Sequence, residues 1–238
     1  MSGQNRSPAV MQRRRVAPDS LDYFPTPPFA TRALCEFLLA QGEAIGEQRV
    51  WEPACGELHM ARPLGEYFGS VRASDVHDYG GHELLDFTFT AESEPSADWV
   101  ISNPPFRLAE LFIATGLRLA RRGVAMLVRS AFLEAEGRHD RLFSVTPPSF
   151  VLQFVERVCM LEGRLVRLGD VDPFAEKPGT KAATATSYCW LVWRQGAGGD
   201  TRLRWLANCR RLERPGDYPE YPAPSIELSA APLLEAAE

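Results

Sequence analysis

The residues Trp99-Val100-Ile101-Ser102-Asn103-Pro104-Pro105-Phe106 constrain this chain more than any other stretch. The run up to Ser102 is apolar and partly β-branched, the pattern of a strand buried on both faces. Two prolines end it. Each proline holds φ at about −65° and lacks an N–H, so the strand stops. Asn103 and the Pro104 carbonyl are then held in a stiff turn at its carboxyl end, where open α/β sheets bind ligands.

This turn offers one amide side chain, one backbone carbonyl and, a residue later, an aromatic ring. The set suits the grip of an exocyclic amino group. The Asn103 side-chain oxygen and the Pro104 carbonyl can each accept one of the two N–H bonds of an –NH2, while Phe106 stacks on the flat ring that bears it. Holding both hydrogens frees the nitrogen lone pair to attack an electrophile. Taken alone, the same residues also suit a plain Pro-rich turn with Phe106 as core filler.

The chain of 238 residues is 45% hydrophobic and 24% charged, which fits one large α/β domain with tails. No apolar run reaches the roughly 18 residues of a membrane helix, and the Arg-rich start lacks the apolar core of a secretory signal. The expectation is a cytoplasmic protein without membrane contact. Cys35, Cys55, Cys159, Cys189 and Cys209 are odd in number and have no Cys-x-x-Cys spacing, so they imply neither a disulfide framework nor a zinc site. His59, His77, His82 and His139 form no metal pattern and read as surface or loop residues.

The net charge is −5, but its distribution is uneven. From Arg107 to Arg167 there are ten arginines against six acids, and Arg6 with Arg13 to Arg15 makes a basic arm. A third cluster holds Arg202, Arg204, Arg210, Arg211 and Arg214. Such clusters suit phosphate contacts and equally suit solvated helix faces. At the carboxyl end of the strand Gly123 to Arg129, Arg129 is assigned to nucleic-acid contact. Lys177 and Lys181, on the loop from Asp172 to Lys181, receive the same assignment.

Along the chain, residues 1–20 read as a disordered basic arm. Tyr23-Phe24-Pro25-Thr26-Pro27-Pro28 is an extended, Pro-stiffened segment, and Pro28 to Gly42 is helical by its spacing. Val50-Trp51 opens a strand that turns through Glu52-Pro53-Ala54-Cys55-Gly56, small residues that let backbone N–H groups approach an anion. A helix follows from about His59 to Phe68, interrupted by Pro63 and Gly65. Val71 to Asp75 is a second strand ending in an acid about twenty residues beyond that loop, a placement that suits a ribose hydroxyl. Leu108 to Arg121 is helical, Phe150 to Phe154 and Thr186 to Arg194 are strands, and Thr201 to Leu206 adds one more.

Three of these stretches, in order, resemble the S-adenosylmethionine-dependent amino methyltransferases, whose N6-adenine members carry Asn-Pro-Pro-Tyr or Asn-Pro-Pro-Phe. Asn103-Pro104-Pro105-Phe106 matches that catalytic motif, Glu52 to Gly56 the cofactor loop, and Asp22 to Pro28 the segment that closes over the cofactor. One departure is Leu58, where the family usually has a second glycine.

The resemblance implies a doubly wound, Rossmann-like class I methyltransferase fold, with a seven-stranded, mostly parallel sheet and one antiparallel strand. It implies S-adenosylmethionine held by Tyr23, Phe24, Pro25 and Thr26 at the methionine end, with Glu52, Pro53, Ala54 and Gly56 as its loop. Asp75 takes the ribose, Val76 lies against adenine, and Asp86 accepts from the adenine amino group beside Phe87. Asn103, also in contact with cofactor, Pro104, Pro105 and Phe106 carry catalysis.

The implied acceptor is the N6 amino group of adenine in double-stranded DNA, with the base flipped and no metal required. Sequence preference is expected to be short or relaxed, since no separate recognition domain is evident. Residues 21–206 form the catalytic domain, and 207–238 a Pro- and Ala-rich extension, partly disordered. The same turn also serves RNA adenine, N4-cytosine and protein glutamine methyltransferases, or a cofactor-binding protein without turnover. No Pro-Cys dipeptide occurs, which argues against a C5-cytosine enzyme. A Gly-x-Gly-x-x-Gly after the first strand is absent, which argues against a nicotinamide enzyme.

Overall fold

In the computed structural model, residues 22–90 and 96–221 are described. The chain runs through helix α1 (Pro28–Ala40), strand β1 (Arg49–Glu52), a single helical turn α2 (Ala61–Leu64), β2 (Ser70–Asp75) and β3 (Glu83–Leu84). It continues through β4 (Ala97–Ser102), helix α3 (Ala109–Leu119), β5 (Ala120–Arg129), β6 (Phe150–Phe154), β7 (Tyr188–Arg194) and β8 (Arg202–Leu206). The strands form one sheet in the order β3-β2-β1-β4-β5-β7-β6-β8. Only β7 runs antiparallel to its neighbours β5 and β6. The sheet is thus the mostly parallel, doubly wound one expected, but with eight strands rather than seven, because β8 adds itself in parallel to the edge of β6.

The central strand explains why both sheet faces are covered. Trp99 and Ile101 of β4 point into the core shared with α1, while Val100 points into the core shared with α3. That alternation has period two, so an unbroken apolar run supplies two layers at once. The tryptophans within these layers have polar partners: Trp51 Nε1 donates to Ser74 Oγ at 2.8 Å, Trp99 Nε1 to Gln48 Oε1 at 2.9 Å, and Trp190 Nε1 to the Ala30 carbonyl at 3.0 Å. Each indole thereby enters the core without leaving a donor unpaired.

The helix expected over His59 to Phe68 shrinks to Ala61–Leu64. Pro63 removes a backbone donor and Gly65 carries little helical preference, so one turn is all that forms. Between β6 and β7, residues 155–187 wind without a helix or strand but bury Cys159, Leu161, Val166 and Ala182 in a small core of their own.

Residues 209–221 pack back on the domain. Arg32, at 4% side-chain exposure in α1, pairs with Glu66 and Asp217 and donates to the Leu212 carbonyl at 2.8 Å. The Tyr221 hydroxyl accepts from Leu165 N at 3.0 Å. The basic arm assigned to 1–20 and the extension beyond 221 lie outside the described residues. Among the described residues, no helix is long and apolar enough to cross a membrane.

Candidate active site

A cavity of about 250 Å³ opens at the carboxyl ends of β1, β2 and β4. It gathers segments far apart in the chain: Tyr23 to Thr26, Glu52 to Ala54, Asp75 with Val76, Asp86 with Phe87, and Asn103 with Pro105. Every one of those residues was read from the sequence as a site residue.

The loop after β1 is shaped by Gly56, whose φ is +48°. A Cβ there would lie 2.4 Å from Cε2 of Tyr23, so the absence of a side chain lets that ring fold over the loop. Gly56 N donates to Asp75 Oδ2 at 2.9 Å, and His77 N donates to Oδ1 at 3.0 Å. Two backbone donors therefore orient the carboxylate at the end of β2. Leu58, the departure from the family pattern, has φ +68°, the left-handed conformation a glycine adopts freely.

Glu52 is 1% exposed at the cavity wall. Its Oε1 accepts from Ser102 Oγ at 3.0 Å, while Oε2 is buried without a partner among the described residues. Burial holds this carboxyl well above the ordinary glutamate range. The Ser102 hydrogen bond opposes that shift and the Asp75 charge adds to it. Burial therefore favours the protonated form of this carboxyl, and a cation placed beside it would favour the ionised form.

At the end of β4, Asn103 Nδ2 donates to the Phe24 carbonyl at 2.8 Å and approaches the Met160 sulfur at 3.6 Å. Oδ1 is buried and accepts from no described group. The amide is held by its nitrogen, which leaves the oxygen as a fixed acceptor. Phe106 N donates to the Asp22 carboxylate at 2.6 Å, so the N-terminal segment fastens the Pro-Pro turn at both ends.

Asp86 Oδ1 accepts from Thr88 N at 2.9 Å and Thr88 Oγ1 at 2.6 Å, which makes it the cap of the short turn Phe87–Phe89 as well as a cavity residue. Phe87 contributes to the wall, but its ring is 1% exposed and packed between Trp51 and Phe112. Val76, 63% exposed, stands at the rim. Several lining residues were missed. Tyr79, whose phenol burial pushes up to about 12, stacks on Tyr23 at 4.8 Å. His59 and His77, read as surface or loop residues, also line the cavity. Burial lowers the His59 pKa, and the neighbouring Glu57 opposes that shift. No sequence pattern marks these residues, because each arrives through loop packing.

No protein-family model matches the chain, and no curated protein sequence matches it. Solved structures do. A candidate class I S-adenosylmethionine-dependent methyltransferase from Listeria monocytogenes superposes with a TM-score of 0.55 at 14% identity, over 80% of this chain and 68% of that one. A candidate RNA methyltransferase from Pyrococcus horikoshii gives 0.51 at 15% identity, over 73% and 87% of the respective chains. The methyltransferase subunit of a type I restriction-modification system from Streptococcus thermophilus gives 0.54 at 9% identity, over 76% of this chain and 47% of that one. The fold is the Rossmann-like class I methyltransferase fold.

On this methyltransferase fold the Asn103 to Phe106 turn divides two cavities. Asn103 and Pro105 face the first, whereas Pro104 and Phe106 face a second of about 200 Å³. Phe106 was expected to offer its face to an acceptor ring. Instead Phe24 packs against it at 5.2 Å, and the Arg129 guanidinium covers it, with Cζ 3.7 Å from the ring centroid.

The residues assigned to nucleic acid share neither cavity: Arg129 lines the second one, without the two lysines. Lys177 and Lys181 are exposed on the 155–187 excursion, and neither lines either of these cavities. Much of the arginine excess after the turn is neutralised within the chain. Arg138 and Arg141 pair with Glu110, Arg122 with Glu43, Arg164 with Asp172, and Arg167 with Glu213. Among the described residues, no cluster of three or more His, Cys, Asp or Glu could hold a metal ion.

Proposed function

We propose that the first cavity binds S-adenosylmethionine and that the chain methylates the N6 amino group of adenine in DNA. The observation that carries this reading is the buried Asn103 Oδ1, which has no partner among the described residues and is held at a strand end by a hydrogen bond through the amide's own nitrogen. An acceptor oxygen in that state gains most from an N–H donor brought to it.

The rest of the cavity fits the cofactor. Glu52 Oε2, buried and without a partner among the described residues, suits the cationic methionine end, and the ribose has Asp75 at the end of β2. Tyr23 folds over the loop as a cover. The cofactor, when bound, supplies an electrophilic methyl group on a sulfonium. Asn103 orients the acceptor amine, Pro104 offers the second carbonyl, and the Pro-Pro turn keeps the two oxygens fixed as charge shifts. Extracting the base from a duplex costs a few kcal/mol, repaid by stacking and by these hydrogen bonds. A neighbour that belongs to a restriction-modification system accords with a DNA acceptor.

The test is methyl transfer from labelled S-adenosylmethionine to unmethylated duplex DNA, RNA and protein, followed by digestion and identification of the labelled unit. Label in N6-methyladenine of DNA, lost in Asn103→Ala with cofactor binding retained, is the expected result. Label confined to RNA, cytosine or glutamine moves the assignment to that acceptor. Cofactor binding with no label in any acceptor overturns it.

A further inference from the structure

The second cavity is lined by two guanidinium–phenyl stacks that differ in how they are held. Arg138 lies 4.0 Å over Phe132 and is tied down, donating to the Phe132 and Glu134 carbonyls at 2.7 Å each and to Glu110 at 3.2 Å. Arg129 lies 3.7 Å over Phe106 with its Nε buried and without a hydrogen-bond partner among the described residues. One cation is anchored, and the other is held by its ring.

We propose that Arg129 is a placeholder for the acceptor and therefore a specificity-determining residue: its flat guanidinium occupies the stacking position on Phe106 until a planar, amino-bearing ring displaces it. The inference rests on the reading of this turn as the grip for such an amine. Three features carry it. A guanidinium is planar and stacks on aromatic faces much as a heterocycle does. The cavity of about 200 Å³ that Arg129 borders also contains Pro104, whose carbonyl is the second oxygen of the grip. A buried N–H with no partner among the described residues makes the resting stack a poor final state, since moving the head group into water restores its hydrogen bond. A ring able to replace the lost stack can enter, and a non-planar amine has nothing to offer Phe106 in return. Arg129 thus screens for flat acceptors instead of serving first as a phosphate contact.

The test uses the full chain, saturated with S-adenosylhomocysteine so that the first cavity is closed to the probe, and adenosine as the probe. In protein with ¹⁵N-labelled arginine, one Nε–H resonance absent from Arg129→Ala should be shifted upfield by the Phe106 ring. It should return to the ordinary arginine position as adenosine saturates. Arg129→Ala should bind adenosine roughly three- to tenfold more tightly than wild type, the size expected from removing a competing cation–π stack. Arg129→Lys, which keeps the charge but not the plane, should tighten in the same direction, and it carries the test should the alanine variant not fold. A shifted resonance that persists with adenosine bound, variants that bind no more tightly than wild type, or no binding to any of the three proteins would each overturn the proposal. If adenosine displaces the guanidinium but no acceptor receives labelled methyl, the proposed function falls and the placeholder stands.

Discussion

Asn103 Nδ2 donates to the carbonyl oxygen of Phe24, 79 residues earlier, at 2.8 Å. The candidate catalytic amide is therefore oriented by the N-terminal segment that lines the first cavity, and the turn is complete only when that segment is in place. Met160, 2% exposed, touches the same amide nitrogen and also Thr26 Oγ1 at 3.9 Å. Met160→Leu conserves volume and removes the sulfur. Stability should change by less than about 1.5 kcal/mol. The kcat should fall several-fold with little change in KM, as expected for an orienting contact of about 1 kcal/mol. Thermal unfolding and steady-state methyl transfer check the two halves; a kcat equal to that of wild type would remove Met160 from the positioning shell.

Gly56 should not tolerate alanine. The new Cβ would collide with the Tyr23 ring at 2.4 Å, on a backbone already at φ +48°. Relieving that clash displaces the Tyr23 ring from the wall of the first cavity. A strain of about 1–3 kcal/mol corresponds to roughly a 5- to 150-fold loss of S-adenosylmethionine affinity, read by calorimetric titration.

Glu52 gives a pH dependence whose sign can be worked out. The folded chain holds this proton more tightly than the unfolded one, so the contribution to stability is greatest below the ordinary pKa of 4.5 and declines as pH rises above it. The decline ends once the folded carboxyl itself ionises. Glu52→Gln should be the more stable protein at neutral pH and should lack this slope in unfolding scans. Cofactor affinity should move the other way in the wild type, rising with pH as the ionised carboxylate becomes easier to reach. In Glu52→Gln that rise should disappear.

Leu58 holds a left-handed backbone at φ +68°, a conformation that costs a residue with a Cβ about 1–2 kcal/mol. Leu58→Gly should relieve that strain in the loop and raise cofactor affinity. Affinity unchanged or reduced would mean that the Leu58 side chain, beside Gly81, contributes more than its backbone costs.

Arg32 ties α1 to Glu66, Asp217 and the Leu212 carbonyl, and its side chain is 4% exposed. Arg32→Ala leaves two carboxylates in a partly buried site and should destabilise the protein by about 3–5 kcal/mol. Limited proteolysis should then cut first within residues 209–221, which lose their ties to Arg32 through Leu212 and Asp217.

How much was legible in the sequence varied with the range of the interaction. The alternation of Trp99, Val100 and Ile101 and the two prolines after Asn103 made β4 and its end readable, because strand period and proline stereochemistry act over a few residues. Gly56 and Asp75 were readable from their positions at strand ends. The shortening of α2 followed from Pro63 and Gly65, but its extent did not, since one surviving turn depends on what packs against Ala61 and Leu64. Tyr79, His59 and Met160 were invisible as site residues because each reaches the cavity wall or its amide through a loop whose path no periodicity encodes.

Phe106 and Arg129 mark the division most clearly. The sequence alone determined that an aromatic residue follows the Pro-Pro turn and that an arginine closes the strand β5, since both depend on local chain chemistry. Only the tertiary structure decided that the two side chains meet. Neighbouring parallel strands β4 and β5 carry their carboxyl ends to the same edge, and the sheet register joins Ser102 to Met126. A flat cation and a flat ring were thereby brought within 3.7 Å, a contact set by the packing of residues far apart along the chain.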